Sequence, residues 1–217
     1  MSGRLFVKVC GITSVADAQA AVAAGADAIG LNCYRKSLRY VTPELAAAIV
    51  QSLPPRRPLR VGVFVNAPPH EVAALDAALG LDVIQLHGDE DPDYVARIGA
   101  KAMKAIRVTG PESLADLRRY RCQAFLLDGP AGGAYGGAGR GFDWSLARQA
   151  TGVWRLIVAG GLTPANVAAA VTAARPYGVD VASGVESAPG VKDPALMREF
   201  VATARAAAAQ AGAKEGG

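Results

Sequence analysis

Cys10 stands directly before Gly11-Ile12-Thr13, at the end of an apolar run that starts at Leu5, and Lys8 lies two residues earlier. In an extended strand that spacing turns both side chains to one face, about 7 Å apart along the backbone. An ammonium so placed favours the thiolate, which would make Cys10 a base or a nucleophile at neutral pH. A small buried apolar cysteine is the plainer alternative. Asp128 follows Phe125-Leu126-Leu127. A turn or helix-capping aspartate is one reading. An acid is the other: an apolar approach raises a carboxyl pKa and lets it keep a proton to donate. Two glycine-containing stretches, Ala159-Gly160-Gly161-Leu162-Thr163-Pro164 and Ala182-Ser183-Gly184-Val185-Glu186, allow backbone N–H groups to approach an oxyanion closely. His87 ends another apolar run, where it could bond a ligand, orient a neighbour or serve structure alone. No GxGxxG or GxxxxGK[ST] nucleotide pattern occurs.

These residues share one property: each ends a short apolar segment. The strand candidates are Leu5–Cys10, Ala28–Cys33, Arg60–Asn66, Asp82–His87, Met103–Val108, Ala124–Asp128, Arg155–Ala159 and Val179–Ser183, each followed by an alanine-rich stretch with helical periodicity. Val61–Val65 and Phe125–Leu127 are continuous apolar runs, as expected of parallel strands buried on both faces. The pattern specifies an α/β protein, a single-domain (β/α)8 (TIM) barrel of parallel strands over residues 1–217. Such a barrel keeps its chemistry at the carboxyl ends of its strands, with phosphate sites common in loops seven and eight. Gly25 is placed to stop the first helix, and Thr42-Pro43-Glu44, Ala67-Pro68-Pro69 and Thr163-Pro164-Ala165 mark the starts of helices two, three and seven. The basic and aromatic stretch 34–41 and the glycine-rich stretch 129–141 fall on the catalytic face, the second as a mobile lid or a spacer. Residues 206–217 read as a frayed tail.

Composition narrows the function classes. The 217 residues suffice for about one compact barrel. A net charge of +4 with 19% charged residues is too diffuse for a nucleic-acid face. The densest basic clusters, Arg56-Arg57 and Arg118-Arg119, read as solvated surface. The positive balance suits steering of a small anionic substrate. No signal peptide or membrane-length apolar stretch is present, so a cytoplasmic protein without membrane association is expected. Three cysteines without CxxC spacing, and only two histidines, His70 and His87, argue against a disulfide framework and against a metal site.

Lys8-Val-Cys-Gly-Ile-Thr13, Lys36-Ser-Leu-Arg-Tyr-Val41, Val61-Gly-Val-Phe-Val-Asn66, Gln85-Leu-His-Gly-Asp-Glu90, Leu127-Asp128, Gly136-Gly-Ala-Gly-Arg-Gly-Phe-Asp-Trp144, Ala159-Gly-Gly-Leu162 and Val179-Asp-Val-Ala-Ser-Gly-Val-Glu186 occur in order along the chain. In order and spacing they resemble the phosphoribosylanthranilate isomerase family, over nearly the whole chain. The resemblance implies Cys10 as general base, Asp128 as general acid and Arg39 as the residue that holds the anthranilate carboxylate, a role that suits a bidentate guanidinium. It implies a phosphate region at Gly160, Gly161, Asp180, Ser183 and Gly184, with His87 near the substrate. The implied reaction is an Amadori rearrangement in tryptophan biosynthesis on a small anionic phosphosugar, needing no metal or organic cofactor, by a monomer or a homodimer. The sequence departs from the family pattern at Arg35, at Cys33 and around Ala131 to Ala134, which bears on the anthranilate pocket and the lid. Cys33 also raises the expectation of a second thiol able to capture an oxidised Cys10, if both face one side of the sheet. Two rivals remain. The related isomerase of histidine biosynthesis, or a barrel serving both substrates, calls for paired acids at the ends of strands one and five, where Cys10 and Arg107 or Val108 stand. A catalytically silent phosphate-binding barrel would not need Cys10, Asp128 and Arg39 together.

Overall fold

The computed structural model describes residues 4–55, 58–129, 142–150 and 155–213. Apolar runs too short for helices become eight parallel strands: β1 (Phe6–Cys10), β2 (Ala28–Asn32), β3 (Leu59–Phe64), β4 (Val83–Leu86), β5 (Ala102–Arg107), β6 (Ala124–Asp128), β7 (Leu156–Val158) and β8 (Gly178–Val181). They pair in chain order, and β8 returns to β1 to close the barrel. Every strand lies within two residues of its expected span. Alternation then sorts the side chains. Ala28, Val61, Val83, Met103, Ala105, Ala124, Leu126, Ile157 and Ala159 fill the interior, while Val7, Val9, Ile29, Leu31, Leu127 and Val179 face the helices in the larger outer core.

The helical layer follows local signals where these are strong. Helix α1 (Val15–Ala24) is capped by Ser14, whose Oγ accepts from the Asp17 N–H at 3.0 Å, and stops at Gly25 with φ 85°. Thr42 caps α2 (Pro43–Gln51), Pro69 opens α3 (Pro69–Leu79) and Asp91 caps α4 (Pro92–Ile98). The remaining helices are α5 (Val167–Ala174) and α6 (Pro194–Ala213).

Five expectations are corrected or fall outside the described residues. The connections after β5 and β6 carry 3-10 turns, Pro111–Leu114, Leu117–Arg119 and Trp144–Gln149, where alanine-rich helices were expected. Leu114 ends the first of these turns and Leu117 begins the second, and both are buried. The helix expected to start at Thr163-Pro164 starts instead at Val167. Asn166 holds the preceding loop open: its Oδ1 accepts from the Thr163 N–H and its Nδ2 donates to the Gly161 carbonyl, both at 2.8 Å. The tail expected to fray from 206 is helical to Ala213, with Ala207 buried and Arg205 donating to the Gly25 carbonyl at 2.7 Å. The expected lid over 129–141 and the Arg56-Arg57 cluster lie outside the described residues, save Gly129. No helix among the described residues is long and apolar enough to cross a membrane.

Candidate active site

The carboxyl ends of the strands surround a cleft of about 760 Å³ that opens to solvent. Its wall contains Cys10, Arg39, His87, Asp128, Gly160, Gly161, Asp180 and Ser183, so the barrel gathers nearly the whole expected set at one mouth. Gly184 packs just behind it, against the Leu162 and Thr163 backbone, where a Cβ would collide with the Leu162 carbonyl.

Cys10 reaches the cleft because β1 turns Phe6, Lys8 and Cys10 inward, and because its neighbour on β2 is Gly30. A Cβ at Gly30 would lie 2.7 Å from the Cys10 sulfur and 3.1 Å from Lys8 Nζ, so only glycine leaves room for both. Lys8 is fully buried and its Nζ donates to Asp180 Oδ1 at 2.9 Å. The β1–β8 register sets Lys8 opposite Asp180, so Asp180 belongs to this charged floor beneath the thiol rather than to the glycine loops. Burial alone would lower the Lys8 pKa, but the charges of Asp180 and Cys10 hold it above its ordinary value. Lys8 favours the thiolate as expected, but its effect does not prevail: burial raises the Cys10 thiol, Asp180 adds to that rise, and the Lys8 charge offsets it only in part.

Asp128 is held at both oxygens. Its Oδ1 accepts from the Gly129 N–H at 2.9 Å, and its Oδ2 lies 3.1 Å from His87 Nε2. The other ring nitrogen, His87 Nδ1, lies 2.9 Å from Gln85 Nε2. Both imidazole nitrogens thus lie within hydrogen-bond distance of protein side chains.

Arg39 lies across Gly11, whose φ of 71° and missing side chain let the arginine stem pass. Its Nε and Nη2 donate to the two oxygens of Glu186 at 2.6 and 2.7 Å. Glu186 also accepts from Lys192 Nζ at 2.8 Å, and Lys192 donates to the Ala182 carbonyl at 2.9 Å. Burial pushes the Glu186 carboxyl up, but these hydrogen bonds from Arg39 and Lys192 win and hold it below its ordinary value. Glu186 therefore occupies one edge of the guanidinium and leaves the edge formed by Nη1 and Nη2 as the one not engaged by it.

At loops seven and eight, Gly160 and Gly161 have φ of 80° and 65°, the left-handed region that favours glycine. A Cβ on Gly160 would also lie 2.9 Å from Asp128 Oδ1, so the acid and the glycine turn are in direct contact.

Cys33 is elsewhere. It continues the outward alternation of Ile29 and Leu31, packs against the outer core and lies 3.7 Å from the Leu31 carbonyl, and burial pushes its thiol up to about 11. The two sulfurs sit on opposite faces of the sheet, so the expectation that Cys33 captures an oxidised Cys10 is overturned.

Sequence reasoning assigned nothing to Asn32, Gln85, Glu186 or Lys192, of which the first two line the cleft and the others brace Arg39. For Gln85 a signal existed: it stands two residues before His87, on the same face of β4.

Three comparisons bear on this geometry. The family model described as N-(5'phosphoribosyl)anthranilate (PRA) isomerase matches residues 7–203. A relative from Myxococcus xanthus named N-(5'-phosphoribosyl)anthranilate isomerase is 52% identical over 92% of this chain and 95% of its own length. Among solved structures, phosphoribosyl anthranilate isomerase from Thermotoga maritima superposes with a TM-score of 0.84 at 37% identity, covering 93% of this chain and 99% of that one. Another, of a phosphoribosyl anthranilate isomerase in complex with reduced 1-(o-carboxyphenylamino)-1-deoxyribulose 5-phosphate, gives 0.81 at 36% identity, with the same coverage.

Proposed function

The chain belongs to the N-(5'-phosphoribosyl)anthranilate isomerase family, and we propose that Cys10 and Asp128 are the base and the acid with which it carries out that family's reaction in tryptophan biosynthesis. The observation that supports these roles is their placement at the ends of β1 and β6 in the wall of one cleft.

The reaction is an internal oxidation–reduction: C1 of the sugar falls from the aldehyde to the amine level as C2 rises from alcohol to ketone. It needs a proton delivered to the furanose ring oxygen and one removed from C2. Asp128 donates to the ring oxygen, the C1–O bond breaks, and the nitrogen lone pair forms a C1=N iminium. That cation acidifies the C2–H. The Cys10 thiolate takes the C2 proton, and the electron pair closes to an enolamine. Return of a proton to C1 and loss of the O2 proton give the ketone. A thiol raised by burial is a stronger base once ionised, and the cationic iminium favours its ionised form at the step that needs it.

Arg39 receives the anthranilate carboxylate on its free edge. The phosphate sits at Gly160, Gly161, Ser183 and Gly184, the glycine turns after β7 and β8, where the absence of glycine side chains lets an oxyanion come close to the backbone. The test is direct: freshly prepared phosphoribosylanthranilate should lose its fluorescence on addition of the protein, and Cys10→Ala and Asp128→Asn should each abolish that loss. A wild-type protein that leaves the fluorescence unchanged would favour the silent phosphate-binding barrel instead.

A further inference from the structure

Gln85 is fully buried inside the barrel, and its Oε1 has no hydrogen-bond partner among the described residues. A buried amide carbonyl without a partner costs about 1–3 kcal/mol, so apolar packing alone would favour a leucine or methionine here. What the amide does provide is one contact, from its Nε2 to His87 Nδ1 at 2.9 Å. An amide nitrogen only donates, so Nδ1 must accept. The ring proton of a neutral His87 is then on Nε2, and it points at Asp128 Oδ2, 3.1 Å away.

We propose that Gln85 is a positioning residue for the acid: by donating to His87 Nδ1 it fixes the imidazole as the Nε2–H tautomer, so that His87 donates to Asp128 and does not compete for its proton. The proposal rests on the reading of Asp128 as the acid. The opposite tautomer would present a bare Nε2 to the carboxyl. That lone pair would accept the acidic proton, holding it on the protein side or taking it outright to leave imidazolium and carboxylate. With Nε2 already carrying a proton, Asp128 Oδ2 is an acceptor, Oδ1 is anchored by Gly129, and the proton has only the cleft to go to. The logic is that of an orienting group in a catalytic triad, where a wrong imidazole tautomer disables an otherwise intact site.

The chain has two histidines, and the other, His70, is exposed on α3, so the measurement is clean. In protein labelled with ¹⁵N-histidine, with His70→Asn used for assignment, the His87 signals at slightly alkaline pH should be those of the Nε2–H form. Gln85→Glu places an acceptor at Nδ1 and should switch the ring to the Nδ1–H form. With that switch kcat should fall about tenfold to a hundredfold while KM stays within about twofold. Gln85→Met should give mixed tautomers and an intermediate kcat. Wild-type His87 in the Nδ1–H form overturns the proposal with no variant needed, and so does a switched tautomer at unchanged kcat. The acid reading is tested separately by Asp128→Asn: full activity there would remove the acid while leaving the tautomer result intact.

Discussion

Glu186 takes one whole edge of the Arg39 guanidinium, with both of its oxygens against Nε and Nη2 at 2.6 and 2.7 Å. The two residues are 147 positions apart in the chain, and their pairing joins the connection after β2 to the one after β8 across the cleft mouth. A flexible cation is thereby turned into a fixed plate with one edge presented.

Glu186→Ala should therefore raise KM for phosphoribosylanthranilate about tenfold with a smaller change in kcat, since it releases Arg39 without removing it. Arg39→Lys should cost more, about tenfold to a hundredfold in kcat/KM, because a point charge cannot reproduce the fork. Steady-state kinetics decide it, and an equal fall in kcat and kcat/KM with KM unchanged in Glu186→Ala would show that the brace acts on chemistry rather than on binding.

Asp128→Asn keeps the shape and an acceptor for the Gly129 N–H, but it loses the acceptor facing His87 Nε2 and has no acidic proton. We expect kcat to drop by about 10² to 10⁴, with affinity for a reduced product analogue largely retained by calorimetry. Turnover within threefold of wild type would remove Asp128 from the mechanism.

The Cys10 thiol, half-buried in the cleft wall and held above its ordinary pKa, should alkylate slowly at neutral pH. Its rate with iodoacetamide should climb about tenfold per pH unit through the ordinary thiol value of 9.0 without levelling there. The sign for stability follows. A pKa raised in the folded state contributes stability that is complete below the unfolded value and is lost as pH rises through the folded one. Wild-type Tm should fall in alkaline solution more than that of Cys10→Ser, whose hydroxyl does not ionise there. A plateau in alkylation below pH 9 would show a thiolate stabilised in the resting site.

Inorganic phosphate or sulfate should compete with substrate, and Gly161→Val should raise KM before it affects kcat, since its φ of 65° and position in the cleft wall leave no place for a branched side chain. Ser183→Val, without the backbone strain, should show a milder form of the same effect. Unchanged KM in both variants would move the phosphate elsewhere.

The barrel and the placement of Cys10 and Asp128 at its mouth were legible because they obey local rules. Apolar runs five or six residues long announce strands, and Cys10 and Asp128 announce themselves by ending them. Arg39 was legible only by resemblance. Glu186 and Lys192 were not, because their roles exist only through a partner brought near by folding. The direction of the Cys10 thiol pKa was not legible for a related reason: the Lys8 charge is visible in the sequence, but the burial that outweighs it, and the opposing Asp180, 172 residues away, exist only in the fold.

The Lys8–Asp180 contact joins the first strand to the last, at the one place where the sheet must close on itself. The floor beneath the base is thus also the seam of the barrel. No fragment lacking either end of the chain can assemble it, and it belongs to the contacts of greatest loop-closure cost, those that topology makes slow. During refolding, protection of Cys10 from a thiol reagent should arrive with closure itself, so that the residue proposed to take the C2 proton also reports when the barrel has closed.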